Sequence, residues 1–511
     1  MTIDDEEKHV REAAVNVIDA PKDLTEEKRE TYDVAAAFLA DVAARPDAAE
    51  LLAPWTDAEE NAVKRKLDRI VMVLLFFSNL MSGTDKVLLG TAATFGFRTD
   101  LHLANSIPYF GMIGFVYLQS FIFQKFPIGK TIGVNVFFYG ICTFGNAGAK
   151  NFAGLAACRF LLGVFEGAGH SATGIVISMF WKKSEQPWRT AVMFSTLSSV
   201  VNGLLSFALQ FYNPGPISRW RLLFVIMGCW SIIVGVMDYF FLPSDPTQAW
   251  WLTDRQKVIA IRRTAGNQTG ILNHHVKWDQ VREALVDVKT WLLFFIAVSL
   301  NIPNGGLIGF NSLIVQSLGY SVKEVTLLAI PTGVVSWVSS LIFAKLATKT
   351  KRPLLCTIIS ILICLAATIM LKTIPRSNKG GSLAALFILY CYWAPYIIMG
   401  SSILYANVAG TTKKIAVYGI SYWGYCVGNL VGPQTFISTE APLYPSATLT
   451  MLIGYCLSIL LVILYGISCW SSNKLKEKEQ AEWEATHHDE DVAEEWKDLT
   501  DRQNPYFRYS W

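Results

Sequence analysis

The chain has 511 residues, of which 52% are hydrophobic and only 17% charged, and its formal net charge is +3 at pH 7. That balance leaves no basic surface for nucleic acid, and the apolar residues fall in long runs rather than in the one-faced stripes of soluble helices. About twelve runs approach the ~20 residues needed to cross a bilayer, which predicts an all-α membrane protein. An open sheet would leave edge groups unsatisfied in lipid, and the alternating segments of a barrel are not visible.

In chain order, residues 1–68 form an N-terminal tail that opens MTIDDEEKHV, acidic and without an apolar core, so no cleavable signal peptide is expected. Six spans follow within 69–242, at about 70–92, 105–124, 131–149, 154–180, 190–212 and 221–242. A polar linker, 243–289, has the character of a short amphipathic helix in part. Six more spans occupy 290–470, at about 290–318, 322–344, 354–373, 383–406, 415–438 and 446–470, before a C-terminal tail, 471–511. The arrangement predicts twelve transmembrane helices in two pseudo-symmetric six-helix bundles. One internal echo supports a duplication: span 2 ends SFIFQK (Ser120–Lys125) and span 8 ends SLIFAK (Ser340–Lys345), each before a basic turn.

Lysine and arginine set the expected orientation. Lys125, Lys130, Lys182, Lys183, Arg189, Lys345, Lys349, Lys351, Arg352, Lys413 and Lys414 fall on the side of the linker, so both termini are expected in the cytoplasm. The sequon at Asn267 then faces the cytosol and stays bare. Nine cysteines lie in or at the ends of apolar runs without disulfide or zinc spacing, and they read as packing residues.

Ionisable groups inside a span are costly and face a partner or a wet cavity. Span 4 carries Arg159 and Glu166, about two turns apart on one face, and span 1 carries Asp85 and Lys86. Counting about 1.5 Å per residue places Asp85 and Arg159 at similar depth, as plausible ion-pair partners, with Glu166 roughly 10 Å deeper. Lys86 points elsewhere around its helix and can serve a solute anion or Glu166. If an anion competes for Lys86, the abandoned carboxylate is protonated, and solute and proton load together. The plainer reading is a salt-bridge network that only holds spans 1 and 4. His170, one turn after Glu166, is a further relay candidate, although a histidine bonded to a neighbouring helix explains it as well. Asp238 is expected at the membrane interface.

The second half has amides and aromatics instead of charges: Asn301, Asn304, Asn311 and Gln316 in span 7, Tyr390, Tyr405 and Asn407 around span 10, and Tyr422, Asn429 and Gln434 in span 11. Each amide alone reads as helix–helix glue. As a group they offer solute contacts, with Asn304, Asn311, Tyr390, Asn407 and Tyr422 the chosen set. Pro303 with Gly305-Gly306, and the stretch GNLVGPQ (Gly428–Gln434), are candidate breaks or tight packing sites. No phosphate loop, metalloprotease motif, nucleophile elbow or dinucleotide fingerprint is found, so neither an enzyme, a cofactor nor a metal site is expected.

Five segments carry a likeness to a known group: PWTDAEENAVKRKLDRIVM (Pro54–Met72), TDKVLLGTAATFG (Thr84–Gly96), RFLLGVFEG (Arg159–Gly167), FLPSDPTQAWWLTDRQ (Phe241–Gln256) and DLTDRQNPYFRYSW (Asp498–Trp511). With these the chain resembles the major facilitator superfamily, and within it the anion–cation symporters of the fungal allantoate-permease type. The resemblance implies two bundles around a central cavity, alternating access, and proton-driven uptake of small organic anions or vitamin-like solutes. It places Asp85 and Lys86 on the family's acidic–basic pair and Arg159 and Glu166 on its span 4 pair. Two departures stand out. Lys86 replaces the arginine many members carry, a point charge without the carboxylate-matching fork, and the loop QKFPIGKTIG lacks most of the family's charged latch.

The expectation is therefore a proton-coupled symporter for a small carboxylate or vitamin-like nutrient in a fungal plasma membrane, with solute, protons and lipid as its partners and a monomer as the family's default. The alternatives are a nutrient sensor of transporter fold and a proton-independent facilitator or exchanger.

Overall fold

The computed structural model describes residues 34–94, 107–167, 169–194, 196–213, 215, 217–265, 267, 273, 275–375, 377–440, 444–486 and 498–511. The acidic start of the N-terminal tail, residues 105–106 of span 2 and the rest of the sequon after Asn267 lie outside them. The first half runs through helices Val34–Ala43 (α1), Ala48–Leu51 (α2), Asp57–Thr94 (α3), Ile107–Lys125 (α4), Ile128–Gly148 (α5), Phe152–Glu166 (α6), Gly169–Phe180 (α7), Gln186–Met193 (α8), Ser198–Leu209 (α9) and Arg219–Phe241 (α10). The linker contributes Asp254–Ala265 (α11) and Trp278–Val286 (α12). The second half consists of Val288–Ser317 (α13), Val322–Thr350 (α14), Pro353–Thr373 (α15), Lys379–Leu389 (α16), Trp393–Ile398 (α17), Thr411–Gln434 (α18) and Pro445–Thr486 (α19).

Ten of these stretches, taking α6–α7, α8–α9 and α16–α17 with its continuation as single spans, are long and apolar enough to cross a membrane. The other two of the twelve are α5 and α18. Their average is lowered by Lys130, Asn135 and Asn146 in one and by Lys413, Lys414 and Asn429 in the other. Helix α3 starts well before residue 70 because Thr56 and Glu59 cap it reciprocally: the Thr56 amide donates to Glu59 Oε2 at 2.9 Å, and the Glu59 amide to Thr56 Oγ1 at 3.3 Å. Three acidic side chains in its first turn also suit the helix dipole.

Span 5 divides between Met193 and Ser198, and span 10 passes through a 3₁₀ turn, Tyr390–Tyr392, and a π segment, Met399–Leu404. Span 7, by contrast, runs unbroken through Pro303, and span 11 runs unbroken to Gln434. The glycines of these two spans serve close packing of α13 on α18. A Cβ on Gly305 would lie 2.7 Å from Asn429 Cα, and one on Gly432 would lie 2.3 Å from the Ile302 carbonyl.

Within the first half α5 packs on α10, α4 on α6 and α3 on α9 and α10; within the second, α13 packs on α18 and α19, and α15 on α19. The halves meet through α4 with α18, α9 with α14 and α3 with α13. The echoed hexapeptides share an environment. Ser120 Oγ donates to the Val116 carbonyl and Ser340 Oγ to the Ser336 carbonyl, one turn back in each case, and Phe123 and Phe343 are both buried.

The linker and C-terminal tail are built parts of one end of the molecule. Arg263, fully buried, holds Glu185 at 2.6 Å and Glu60 at 3.4 Å, joining α11 to the first half. Arg189 grips Asp68 through Nε at 2.7 Å and Nη2 at 2.9 Å. Residues 498–511 fold back on the second half: Asp501 meets Lys413 at 2.7 Å, and Asp498 Oδ1 accepts the Thr411 amide at 2.6 Å. Asp287, before α13, lies 3.2 Å from Lys413. Burial favours its neutral form, but Lys289 and Lys413 outweigh that and hold its carboxyl below the usual aspartate range. Asn267 is buried, its amide donating to the Trp181 carbonyl at 3.0 Å.

Candidate functional site

Helix α3 presents Ser82, Asp85 and Lys86 within one turn, and α6 presents Arg159 and Glu166 two turns apart, so the two helices face each other with alternating charge. Two ion pairs result. Arg159 Nη1 lies 2.9 Å from Asp85 Oδ2, with both side chains almost wholly buried. Lys86 Nζ lies 2.9 Å from Glu166 Oε1, and the Lys86 side chain retains 10% exposure. Ser82 Oγ also donates to Glu166 Oε1.

The pairs differ in what surrounds them. Arg159 stacks its guanidinium 5.1 Å from the Phe224 ring inside the first half. Lys86 instead reaches across to the second half, with its ammonium 5.1 Å from the centroid of Tyr425. Four carboxylate and guanidinium positions, Asp85 Oδ1, Glu166 Oε2, Arg159 Nε and Arg159 Nη2, carry no hydrogen-bond partner. A buried charge with unused bonding positions is a place where a polar solute or water gains most.

Three cavities meet around Lys86 and His170. One of about 870 Å³ lies between the halves, with Lys86, His170, Asn311, Tyr390 and Tyr392 in its wall. A second, about 480 Å³, is lined by Asp85, Lys86, Arg159, Glu166 and Tyr109. The third, about 650 Å³, lies towards the linker end and is lined by His170, Tyr396, Tyr405, Tyr418 and Tyr422. His170 stacks against Tyr422 at 5.5 Å and Tyr425 at 6.0 Å rather than pairing with Glu166.

The chosen amides are placed differently from one another. Asn311 and the aromatics Tyr390 and Tyr422 line cavities. Asn304 accepts from Tyr392 Oη at 2.8 Å and donates to Asn429 Oδ1 at 3.0 Å and Asn301 Oδ1 at 3.2 Å, a bonded cluster joining α13, α18 and the Tyr390–Tyr392 turn. Asn407 lies at the linker end, where its side chain exchanges hydrogen bonds with the Ser510 carbonyl, 2.8 Å, and amide, 2.6 Å. It tethers the tail.

Sequence reasoning missed Ser82, Tyr109, Tyr396 and Tyr425. For Tyr425 a signal exists, since it lies three residues after Tyr422 and shares its face, and the two rings stack at 5.2 Å. Asp238, near the linker end of α10, is fully buried, because α10 turns it inward against α3, where Ser78 Oγ donates to its Oδ2 at 2.5 Å.

The chain is similar to known transporters. The sequence model of the Major Facilitator Superfamily matches residues 71–433. An MFS-type transporter of Penicillium expansum is 33% identical, covering 100% of this chain and 99% of that protein. The allantoate permease of Saccharomyces cerevisiae is 33% identical over 89% of this chain and 87% of its own length. A thiamine pathway transporter of the same yeast is 28% identical over 88% of this chain and 86% of that protein. Among solved structures, the proton:xylose symporter XylE superposes with a TM-score of 0.62 at 12% identity, covering 77% of this chain and 94% of that one.

Proposed function

The chain belongs to the Major Facilitator Superfamily, a family of membrane transporters rather than enzymes, and from that premise we propose that it is a proton-coupled symporter for a small carboxylate or vitamin-like anion. The carrying observation is the Lys86–Glu166 pair, 2.9 Å long, in the wall of the cavities around the junction of the two halves. An ammonium held by one carboxylate is a site at which another carboxylate can compete. The solute anion takes Lys86, Glu166 is left without its cation, and a buried carboxylate in that position is neutralised by a proton. Anion and proton then cross together as the halves rock. Asp85 and Arg159, paired within the first half, keep α3 and α6 in register during the exchange.

Tyr109, Tyr422, Tyr425 and His170 supply flat surfaces for the apolar part of the solute, and Asn311 and Tyr390 offer hydrogen bonds from the second half. The similarity to an allantoate permease supports an anionic cargo. In this reading residues 69–242 and 290–470 are the moving bundles, and 243–289 and both tails are cytoplasmic. The transporter works as a monomer in the plasma membrane.

The test is uptake of labelled allantoate and a panel of small carboxylates and vitamins into proteoliposomes, with and without an imposed pH gradient. At least one solute is expected to accumulate only with the gradient. Flux that ignores the gradient would leave a facilitator or exchanger, and binding without flux would leave a sensor. Lys86→Ala is expected to abolish the thermal stabilisation that the accumulated solute gives the purified protein.

A further inference from the structure

Asp238 stands apart from the charges described so far. It is fully buried, one turn from the linker end of α10, and among the described residues no lysine, arginine or histidine pairs with it. Its Oδ2 accepts the Ser78 hydroxyl, and its Oδ1 carries no partner. Burying an unpaired carboxyl is expensive, and such residues in membrane spans mark functional sites.

Ser78 lies one helical turn from Ser82 on the same face of α3, on the side of the linker end. The two hydroxyls have matching roles. Ser82 donates to Glu166, and Ser78 donates to Asp238. Both serines line a further cavity of about 460 Å³ inside the first half, whose wall also contains Glu166, Asn135, Tyr139 and Thr173. Its surface is mostly apolar, and Ser78, Ser82, Asn135, Glu166 and Thr173 supply the polar atoms to which water inside it would bond. Across the cavity stand Glu166 with its partner Lys86, and His170. On α5, the Tyr139 hydroxyl donates to the Met81 carbonyl at 2.8 Å, and Lys130 is exposed. Helix α9, packed on α10, contains no titratable side chain, and Asp85 is held by Arg159 two turns away along α3.

We propose that Asp238 is a second proton site, connected to Glu166 through Ser82, water in the intra-bundle cavity and Ser78. This rests on the proton-coupling reading of Glu166 and deepens it by giving the proton a route separate from the solute's. The transfer is a hydrogen-bond relay. The Glu166 proton passes to Ser82 Oγ as the Ser82 hydrogen moves to water. Water passes a proton to Ser78 Oγ as the Ser78 hydrogen moves to Asp238 Oδ2. Glu166 ends as carboxylate and Asp238 as carboxylic acid, with no net change elsewhere. Asp238, nearer the linker end, then releases the proton on that side while the solute leaves between the halves.

The test uses infrared difference spectra of the full-length protein in liposomes, recorded across pH steps and after a switch to D₂O, with no solute added. The expected result is a carboxylic-acid C=O band that is lost in Asp238→Asn and retained, shifted, in Asp238→Glu. Ser78→Ala and Ser82→Ala keep both carboxyls and are expected to slow deuteration of that band by about 100-fold, the low end of what one positioned proton-transfer group contributes. An Asp238→Asn spectrum that matches wild type at every pH overturns the proposal, as does wild-type deuteration in both serine variants. If Asp238→Asn does not fold, the serine variants decide the matter. Wild-type uptake that ignores a pH gradient would remove the symport reading, while the infrared result still reports whether the two carboxyls share a proton path.

Discussion

Lys86 carries its ammonium 2.9 Å from Glu166 on α6 and 5.1 Å from the ring of Tyr425 on α18, so one cation on the first half touches both halves of the transporter. The contact with Tyr425 is a cation–π interaction across the moving seam. Any solute anion that draws Lys86 away loosens two contacts at once, one inside the first half and one between the halves. In the proposed cycle this would link cargo binding to the closure of the site.

Glu166→Gln is expected to abolish accumulation driven by a pH gradient and to leave solute counterflow. The amide keeps the size of the side chain and a hydrogen bond from Ser82 but cannot change charge. Uptake in proteoliposomes with the gradient imposed or collapsed checks this, and unchanged gradient-driven uptake removes Glu166 from coupling.

Asp85→Asn leaves Arg159 charged among buried apolar groups. Removing one partner of a buried pair costs about 3–5 kcal/mol, so the variant should unfold at a lower temperature in detergent. The double variant Asp85→Asn with Arg159→Met, which takes both charges away, should recover part of the loss. A thermal-unfolding cycle of the four proteins measures the coupling, and additive single effects would mean that the pair does not act as a unit.

Gly174 on α7 lies under the ring of Tyr405, where an added Cβ would come within 2.3 Å of the ring carbon Cε1. Gly174→Leu is expected to hold the linker end apart, keeping solute binding but reducing transport severely. Adding Tyr405→Ala should restore flux by removing the ring that obstructs closure. Binding by thermal shift and flux by uptake separate the two effects.

Lys183, in the turn before α8, rests its ammonium 4.5 Å from the Phe507 ring of the tail. Burial, helped by nearby Lys414 and opposed by Asp501, pushes it down to about 7. The unfolded chain therefore holds more protons between that value and the ordinary lysine value of about 10.4. Stability should rise with pH across this window, with the penalty complete below it. Lys183→Met should flatten that rise in a pH series of melting temperatures. An unchanged slope would show that Lys183 is not the group responsible.

The apolar runs and the charges inside them determined a good deal without the structure. Twelve spans were legible because each run reports the solvent it must occupy, and Asp85, Lys86, Arg159 and Glu166 were legible because charge in lipid requires a partner. Other features depended on contacts between residues far apart in the chain. Pro303 and Gly305 look like a hinge in sequence, yet their helix is continuous and Gly305 is needed where Asn429 comes close. Among the described residues the interruptions fall in spans 5 and 10 instead. Asn304 and Asn407 looked alike as free amides, but one is bonded to Tyr392 and Asn429, and the other holds Ser510. Asp238 sits near a span end in sequence, and only the rotation of α10 turns it towards Ser78. Hydrophobicity is a one-dimensional property that each segment carries by itself. The direction in which a helix faces, and the partner it finds there, is decided by packing against helices distant in sequence.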